Sequence, residues 1–261
     1  MQVNIIQVNI IWEDKNANLS KYQYFIENNL QKDSLYVLPE MFTTGFSMNV
    51  EALAEDMTGI SIQWMKGICI KHKINICGSL IIKENNQFLN RFVYCNCNAE
   101  ITYYDKRHLF RMGEENNHFS GGNRKTIISH QGWKIQPLVC YDLRFPVWAR
   151  NTFENNNAEY DCLIYVANWP KARRNAWISL LKARAIENQC YVIAVNRIGV
   201  DGNGIEYSGD SMIVCPMGDI ICETNENTEE MKSIELSLER LVDFRNKFPV
   251  YLDAENFEIK Y

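Results

Sequence analysis

The sequence predicts an α/β fold. Strand-like and helix-like segments alternate along the chain. Several apolar runs, among them Asp161–Ala167 and Cys190–Asn196, read as buried strands, while others place apolar residues at helical spacing, as Leu19, Tyr22, Ile26 and Leu30 do. The chain has 261 residues, 46% of them hydrophobic and 23% charged, so a substantial core forms without disulfide or metal staples. It reads as one domain over 1–261, with a tail, 248–261, that carries no clear pattern.

In chain order, Val3–Asn9 reads as a strand and Asn18–Gln31 as a helix. Ser34–Leu38 is a short strand that ends at Pro39-Glu40, and Ser61–Lys73 is a helix with Ile62, Met65 and Ile68/Cys69 on one face. Ile74–Ile82, Phe88–Asn96 and Glu100–Tyr104 are three successive strands, the first two joined by a turn at Asn85-Asn86. Lys106–Arg124 is loop-like, with Gly113, Gly121 and Gly122. Trp133–Val139 is a strand that runs straight into Cys140, and Phe145–Asn155 is expected to be helical. Asp161–Ala167 is a strand, Arg173–Asn188 a helix and Cys190–Asn196 a strand. Ser211–Cys215 and Asp219–Glu223 are strands around the turn Pro216-Met217-Gly218; Lys232–Leu236 and Leu238–Lys247 add a last strand and helix. The Asn-rich spots Asn155–Asn157 and Asn225–Asn227 read as surface loops.

Charge and cysteine usage exclude several classes. The net charge is -5, and no basic stripe is available to neutralise phosphates, which argues against nucleic acid. The nine cysteines are odd in number and sit mostly in apolar runs such as NICGSLII, where cysteine acts as a small hydrophobe; that usage suits a reducing cytoplasm. MQVNIIQVNII has no basic leading region and no cleavage site and reads as a strand, and no run approaches the ~18 apolar residues of a membrane span. His108, His118 and His130 lack metal-ligand spacing, Cys95-x-Cys97 reads as alternate positions on a strand, and Gly121-Gly122 lies outside any strand–helix phosphate motif, so neither a metal nor a cofactor is expected.

Three reactive side chains fall at the ends of expected strands or just beyond, where open α/β sheets gather their sites. A cysteine in an apolar run is usually core, but Cys140 ends a strand at a sharp turn before Asp142 and Arg144, as in a nucleophile elbow. The N–H groups that follow it favour a thiolate and an oxyanion. A lone glutamate after a proline is usually a surface carboxylate; Glu40, fixed by Pro39 behind an apolar strand, is instead positioned to serve as a general base. Lys106 in YYDKRHLF is either a solvated loop lysine or a fixed positive charge beside the sulfur.

PEMF around Glu40, YDKRHLF around Lys106 and CYDLRFP around Cys140, in that order, together with NWP…ARAIENQCYVIAVNRIG and YSGDSMIVCPMGDII, resemble the nitrilase (carbon–nitrogen hydrolase) superfamily over roughly residues 1 to 250. RHLFRMGEE followed by CYDLRFPVWARN is most similar to its omega-amidase branch. The resemblance implies a four-layer α-β-β-α sandwich, a Glu40–Lys106–Cys140 triad and a second glutamate that maps to Glu115, with Glu114 adjacent. The family usually associates through its helical faces, so the resemblance also implies a homodimer.

On that basis Cys140 attacks the terminal amide of a 2-oxo dicarboxylic acid monoamide, Glu40 moves the protons, and Lys106 with the backbone N–H of Tyr141 holds the oxyanion. Arg144, Arg173 and Arg174 lie after strand ends and offer a cation for the distal carboxylate; each is also readable as a surface arginine. Phe42, Trp169 and Tyr207 either wall a small pocket or belong to the core. The competing readings are another amidase, carbamoylase or nitrilase of the superfamily, an acyltransferase, and a non-catalytic scaffold on the same fold.

Overall fold

Strand β1 (Gln2–Gln7) begins a sheet covered on both faces. Its Val3 and Ile5 join one apolar cluster and Ile6 another, as the two-residue period of a strand requires. The structure, a computed structural model, describes residues 1–154, 157–255 and 257–259. From β1 the chain passes through helix α1 (Lys15–Asn28), β2 (Leu35–Val37), the single turn α2 (Val50–Leu53) and helix α3 (Ile60–His72) to β3 (Asn75–Glu84), β4 (Gln87–Cys95) and β5 (Ile101–Asp105). A loop bearing one helical turn, α4 (Glu115–His118), leads to β6 (Ile128–His130) and β7 (Trp133–Val139). Next come the paired β8 (Phe153–Glu154) and β9 (Asn157–Ala158), then β10 (Cys162–Ala167), helix α5 (Arg174–Asn188) and β11 (Tyr191–Asn196). The hairpin β12 (Ile198–Val200) and β13 (Glu206–Ser208) precedes β14 (Met212–Val214), β15 (Ile220–Glu223), β16 (Glu230–Glu235) and helix α6 (Leu238–Lys247).

Among the described residues, two six-stranded sheets form, ordered β16-β1-β2-β3-β4-β5 and β15-β14-β11-β10-β7-β6. Strands β1, β2 and β3 are parallel, as are β7, β10 and β11. Strand β5 is antiparallel to β4, which is antiparallel to β3, so β5 and β2 point the same way. Helices α1 and α3 cover the first sheet through Leu19, Tyr22, Ile26, Ile62 and Met65. Helices α5 and α6 cover the second through Trp177, Leu181, Ala185 and Leu241. Val3, Ile5, Leu35, Val37 and Phe92 of the first sheet share a core with the strands of the second. The architecture is the four-layer sandwich that the sequence resemblance implies.

A polar seam fixes how the two sheets meet. The buried Gln7 side chain, at the end of β1, accepts from the Ser211 N–H (3.1 Å), the Ser211 hydroxyl (2.9 Å) and the Thr224 hydroxyl (2.7 Å). Its amide donates to the carbonyls of Asn225 (2.9 Å) and Thr228 (3.0 Å). A side chain at Gly209 would stand 2.2 Å from the Gln7 Oε1, so the chain passes there only as glycine.

Local chemistry shifts several boundaries from the sequence expectation. Helix α1 starts at Lys15 because the Asp14 carboxylate caps the Ala17 N–H (3.0 Å). The helix expected over Phe145–Asn155 does not form in its described part; Asn155 and Asn156 lie outside the described residues. The N–H groups of Phe145, Trp148, Ala149 and Arg150 reach back only three residues, and Pro146 has none to give. Asn151 bonds instead to Tyr160 and Asn188 of neighbouring elements. The Lys106–Arg124 loop holds two short helical turns, and Gly122 lies so close to the Asp105 carbonyl that a Cβ would sit 2.2 Å from it. Among the described residues no helix is long and apolar enough to cross a membrane.

Gln7→Leu fills the same space but leaves the buried Ser211 N–H without its acceptor. It is expected to lower the unfolding free energy by about 2–3 kcal/mol, read from the urea midpoint. An unchanged midpoint would remove Gln7 from this role.

Candidate active site

Four strand ends converge. Glu40 follows β2, Lys106 follows β5, Cys140 follows β7 and Asn168 follows β10. The first two belong to one sheet and the last two to the other, so the site lies across the sheet–sheet boundary. Two of these turns hold residues other than glycine in the left-handed region: Met41, directly after Glu40, at φ 44° and Cys140 at φ 44°. Such backbone is costly and persists only where the surroundings impose it.

Three ionisable side chains are buried together here. The Lys106 Nζ donates to Glu40 Oε1 (2.8 Å) and to both oxygens of Glu115 (3.0 and 2.9 Å). Lys106 is 1% exposed, and Glu40 and Glu115 are 0% exposed. Burial alone would discharge the ammonium, but the Glu115 and Glu40 carboxylates outweigh it and hold Lys106 above the usual lysine range. Burial pushes the Glu115 carboxyl up; Lys106 pulls against this, and Glu40 adds to it. Glu115 Oε2 also accepts the Phe110 N–H (2.6 Å), while Glu40 Oε2 accepts the Asn168 N–H (2.8 Å). Glu114, next in sequence to Glu115, is exposed at φ 57° and stands outside the cluster.

Cys140 opens the short 3-10 turn Cys140–Arg144 rather than a longer helix. Its sulfur lies 3.9 Å from the Asn168 carbonyl. Burial raises the thiol well above its ordinary range, Glu40 raises it further, and Lys106 opposes both. The carboxylate and the ammonium of the cluster thus act on the sulfur in opposite senses.

A cavity of about 200 Å³ opens over this cluster. Lys106, Cys140, Tyr141 and Asn168 line its base, with Trp169 and Tyr207 on the wall. Arg144 and Arg173 also line it, stacked over the rings of Trp169 (5.0 Å) and Phe110 (5.2 Å). Arg174 does not: it pairs with Asp210 (2.7 Å). Among the described residues Arg144 and Arg173 form no such ion pair. Phe42 is also away from the cavity. It is 0% exposed in the core beneath α1 and α3, edge-on to Tyr22 at 5.5 Å, because the turn after Glu40 directs it back against Gly78. Among the described residues no cluster of three or more His, Cys, Asp or Glu side chains is arranged to hold a metal ion.

Two residues of this cluster have no counterpart in the sequence reading. Asn90, buried on β4, donates from one amide nitrogen to Glu40 Oε1 (2.8 Å) and Glu115 Oε1 (3.0 Å). The Ser79 hydroxyl donates to its Oδ1 (2.8 Å), which fixes the orientation of the amide. Asn168 grips the Glu40 backbone carbonyl through its side chain (2.6 Å). Asn90 sits mid-strand beside the charged Arg91 with no motif around it, so nothing in the sequence of β4 singled it out.

Asn90→Leu removes a donor from both carboxylates, and each loses a bond to its charged form. The Glu115 carboxyl, which this bond lowers, then rises further. The acid limb of kcat/KM is expected to move to higher pH, with about a tenfold loss at neutral pH. An unshifted profile in a folded variant would contradict the bridge.

The family model of carbon–nitrogen hydrolases matches residues 2–246. The chain is 41% identical over 261 residues to a protein of Escherichia coli K12 named omega-amidase YafV, covering 99% of this chain and 98% of that one. It is 32% identical over 254 residues to the 2-oxoglutaramate amidase of Bacillus subtilis 168, covering 96% of both. The crystal structure of XC1258 from Xanthomonas campestris, described as a CN-hydrolase superfamily protein with an arsenic adduct in its active site, superposes with a TM-score of 0.95 at 38% identity, over 100% of this chain and 99% of that one. The chain belongs to the carbon–nitrogen hydrolase (nitrilase) superfamily and is a hydrolase of carbon–nitrogen amide bonds.

Proposed function

We propose that the chain is an omega-amidase that releases ammonia from the terminal amide of a small 2-oxo dicarboxylic acid monoamide, such as 2-oxoglutaramate or 2-oxosuccinamate. One observation carries the reading: a buried thiol beside a carboxylate–ammonium–carboxylate cluster, under a cavity lined by two guanidinium groups, Arg144 and Arg173, that form no ion pair among the described residues. The names of the relatives at 41% and 32% identity support the substrate class.

In this reading the amide carbonyl enters between Cys140 and Lys106. Glu40 takes the thiol proton as the sulfur bonds to the carbonyl carbon. The oxyanion is held by the Lys106 ammonium and the Tyr141 N–H. Glu40 returns the proton to the leaving nitrogen, the C–N bond breaks and ammonia departs from a Cys140 thioester. Water, deprotonated by Glu40, adds to the thioester; the sulfur leaves with the proton and the acid is released. Glu115 keeps Lys106 charged and aimed. Arg144 and Arg173 receive the distal carboxylate in bidentate fashion against the aromatic wall, Trp169 included.

The cytoplasm suits nine free cysteines. A homodimer through the helical faces suits Ile186 on α5 and Val242 on α6, which are 53% and 45% exposed.

The test is a panel of 2-oxoglutaramate, glutamine, simple nitriles and N-carbamoyl amino acids. Preference for the 2-oxo amide is expected, with no turnover by Cys140→Ala. Arg173→Ala is expected to raise KM for 2-oxoglutaramate about tenfold or more and to leave a neutral short amide nearly unaffected. Equal turnover of glutamine and 2-oxoglutaramate would sink the substrate assignment.

A further inference from the structure

We propose that Asp142 is a positioning residue that clasps the Lys106 segment to the Cys140 turn, and that His108 is the outer half of that clasp. The inference rests on the Glu40–Lys106–Cys140 reading above. Asp142 is 0% exposed, and among the described residues its one ion-pair partner is the His108 ring. Its carboxylate is held by four hydrogen bonds. Oδ2 accepts the Val139 N–H (3.0 Å) and the Tyr104 hydroxyl (2.9 Å). Oδ1 accepts the His108 N–H (3.0 Å) and faces the His108 Nδ1 (2.8 Å).

These partners flank the two reacting segments. Val139 directly precedes Cys140, and its bond to Asp142 closes the turn that keeps Cys140 at φ 44°. Tyr104 and His108 stand two residues before and two after Lys106. Tyr104 also takes the Arg107 N–H (3.1 Å) and the Trp148 indole N–H (2.9 Å), so the lysine segment is anchored on both sides. Strand β5 is an edge of one sheet and β7 lies in the other, so no ladder hydrogen bonds join them. The carboxylate supplies that join, and with it the separation of the Lys106 ammonium and the Cys140 sulfur. Misplacement by about 1 Å is enough to cost a large factor in rate.

His108 allows a test in which packing and hydrogen bonding separate. Its ring stacks on Phe145 (3.8 Å), is partly exposed, and reaches the carboxylate through one nitrogen. Asparagine places a donor where Nδ1 sits but has no ring; alanine has neither. The full-length enzyme and its His108→Asn, His108→Ala and Asp142→Asn variants are compared by thermal melting, by kcat and KM on 2-oxoglutaramate, and by the rate at which iodoacetamide labels Cys140. Asp142→Asn is expected to lose at least about tenfold in kcat with KM within threefold, and to change the Cys140 labelling rate. His108→Ala is expected to lose several-fold in kcat and His108→Asn to recover most of it. A folded Asp142→Asn with wild-type kcat and labelling overturns the proposal. So does equal activity of His108→Ala and His108→Asn, which also decides the matter if Asp142→Asn does not fold. Should the wild-type enzyme ignore the 2-oxo amide, the substrate assignment fails, while the labelling rates still judge the clasp.

Discussion

A lysine ammonium with no exposed surface is the constraint on which the rest of the site depends. Moving Lys106 out of water is unfavourable by several kcal/mol, and only close opposite charge with good hydrogen bonds makes it tolerable. Glu40 and Glu115 provide the charge at 2.8 and 2.9 Å. Two carboxylates so close repel one another, which raises the affinity of one for a proton. Asn90 and the N–H groups of Phe110 and Asn168 offset this by donating to the carboxylates. The cluster is thus self-consistent only as a whole, and every member is held in one geometry. That rigidity is what an oxyanion site needs, because preorganised charge requires no rearrangement during reaction.

The fold brings these groups together by direction. Strands β2 and β5 of one sheet end at the same rim, and β7 and β10 of the other end opposite them. Glu40 and Lys106 therefore come from one sheet and Cys140 and Asn168 from the other. The interlayer packing and the Gln7 seam hold the Glu40 rim of one sheet against the Cys140 rim of the other. Strain at Met41 and Cys140 is stored where the two sheets meet, supported by Ser79 and Asp142, which take the N–H groups of Met41 and Val139.

Much of this was legible in the sequence, for reasons specific to each residue. Strand-length apolar runs that end in Glu40 or Cys140 carry their own punctuation, and the order of the three motifs carries the family. Asn90 was not legible: a polar residue inside a strand is ordinarily read as facing solvent, and only the paired sheet makes it face two carboxylates. Phe42 had the opposite fate, since proximity to Glu40 in sequence suggested the pocket while the αL turn at Met41 sends its ring into the helix-covered core. The missing helix over Phe145–Asn155 has a similar origin: Asn151 spends its side chain on the backbone of other segments. The arginines were ambiguous because their charge partners are distant in sequence, Asp210 claiming Arg174 and leaving Arg144 and Arg173 at the cavity.

The proposed mechanism turns on a covalent step at one sulfur. The most direct measurement mixes enzyme with 2-oxoglutaramate, quenches in acid during turnover, digests the protein and weighs the Cys140 peptide. An adduct equal to the substrate less ammonia, formed within the first turnover and absent from Cys140→Ala, is expected. Ammonia released at the full rate with Cys140 unmodified throughout would contradict it.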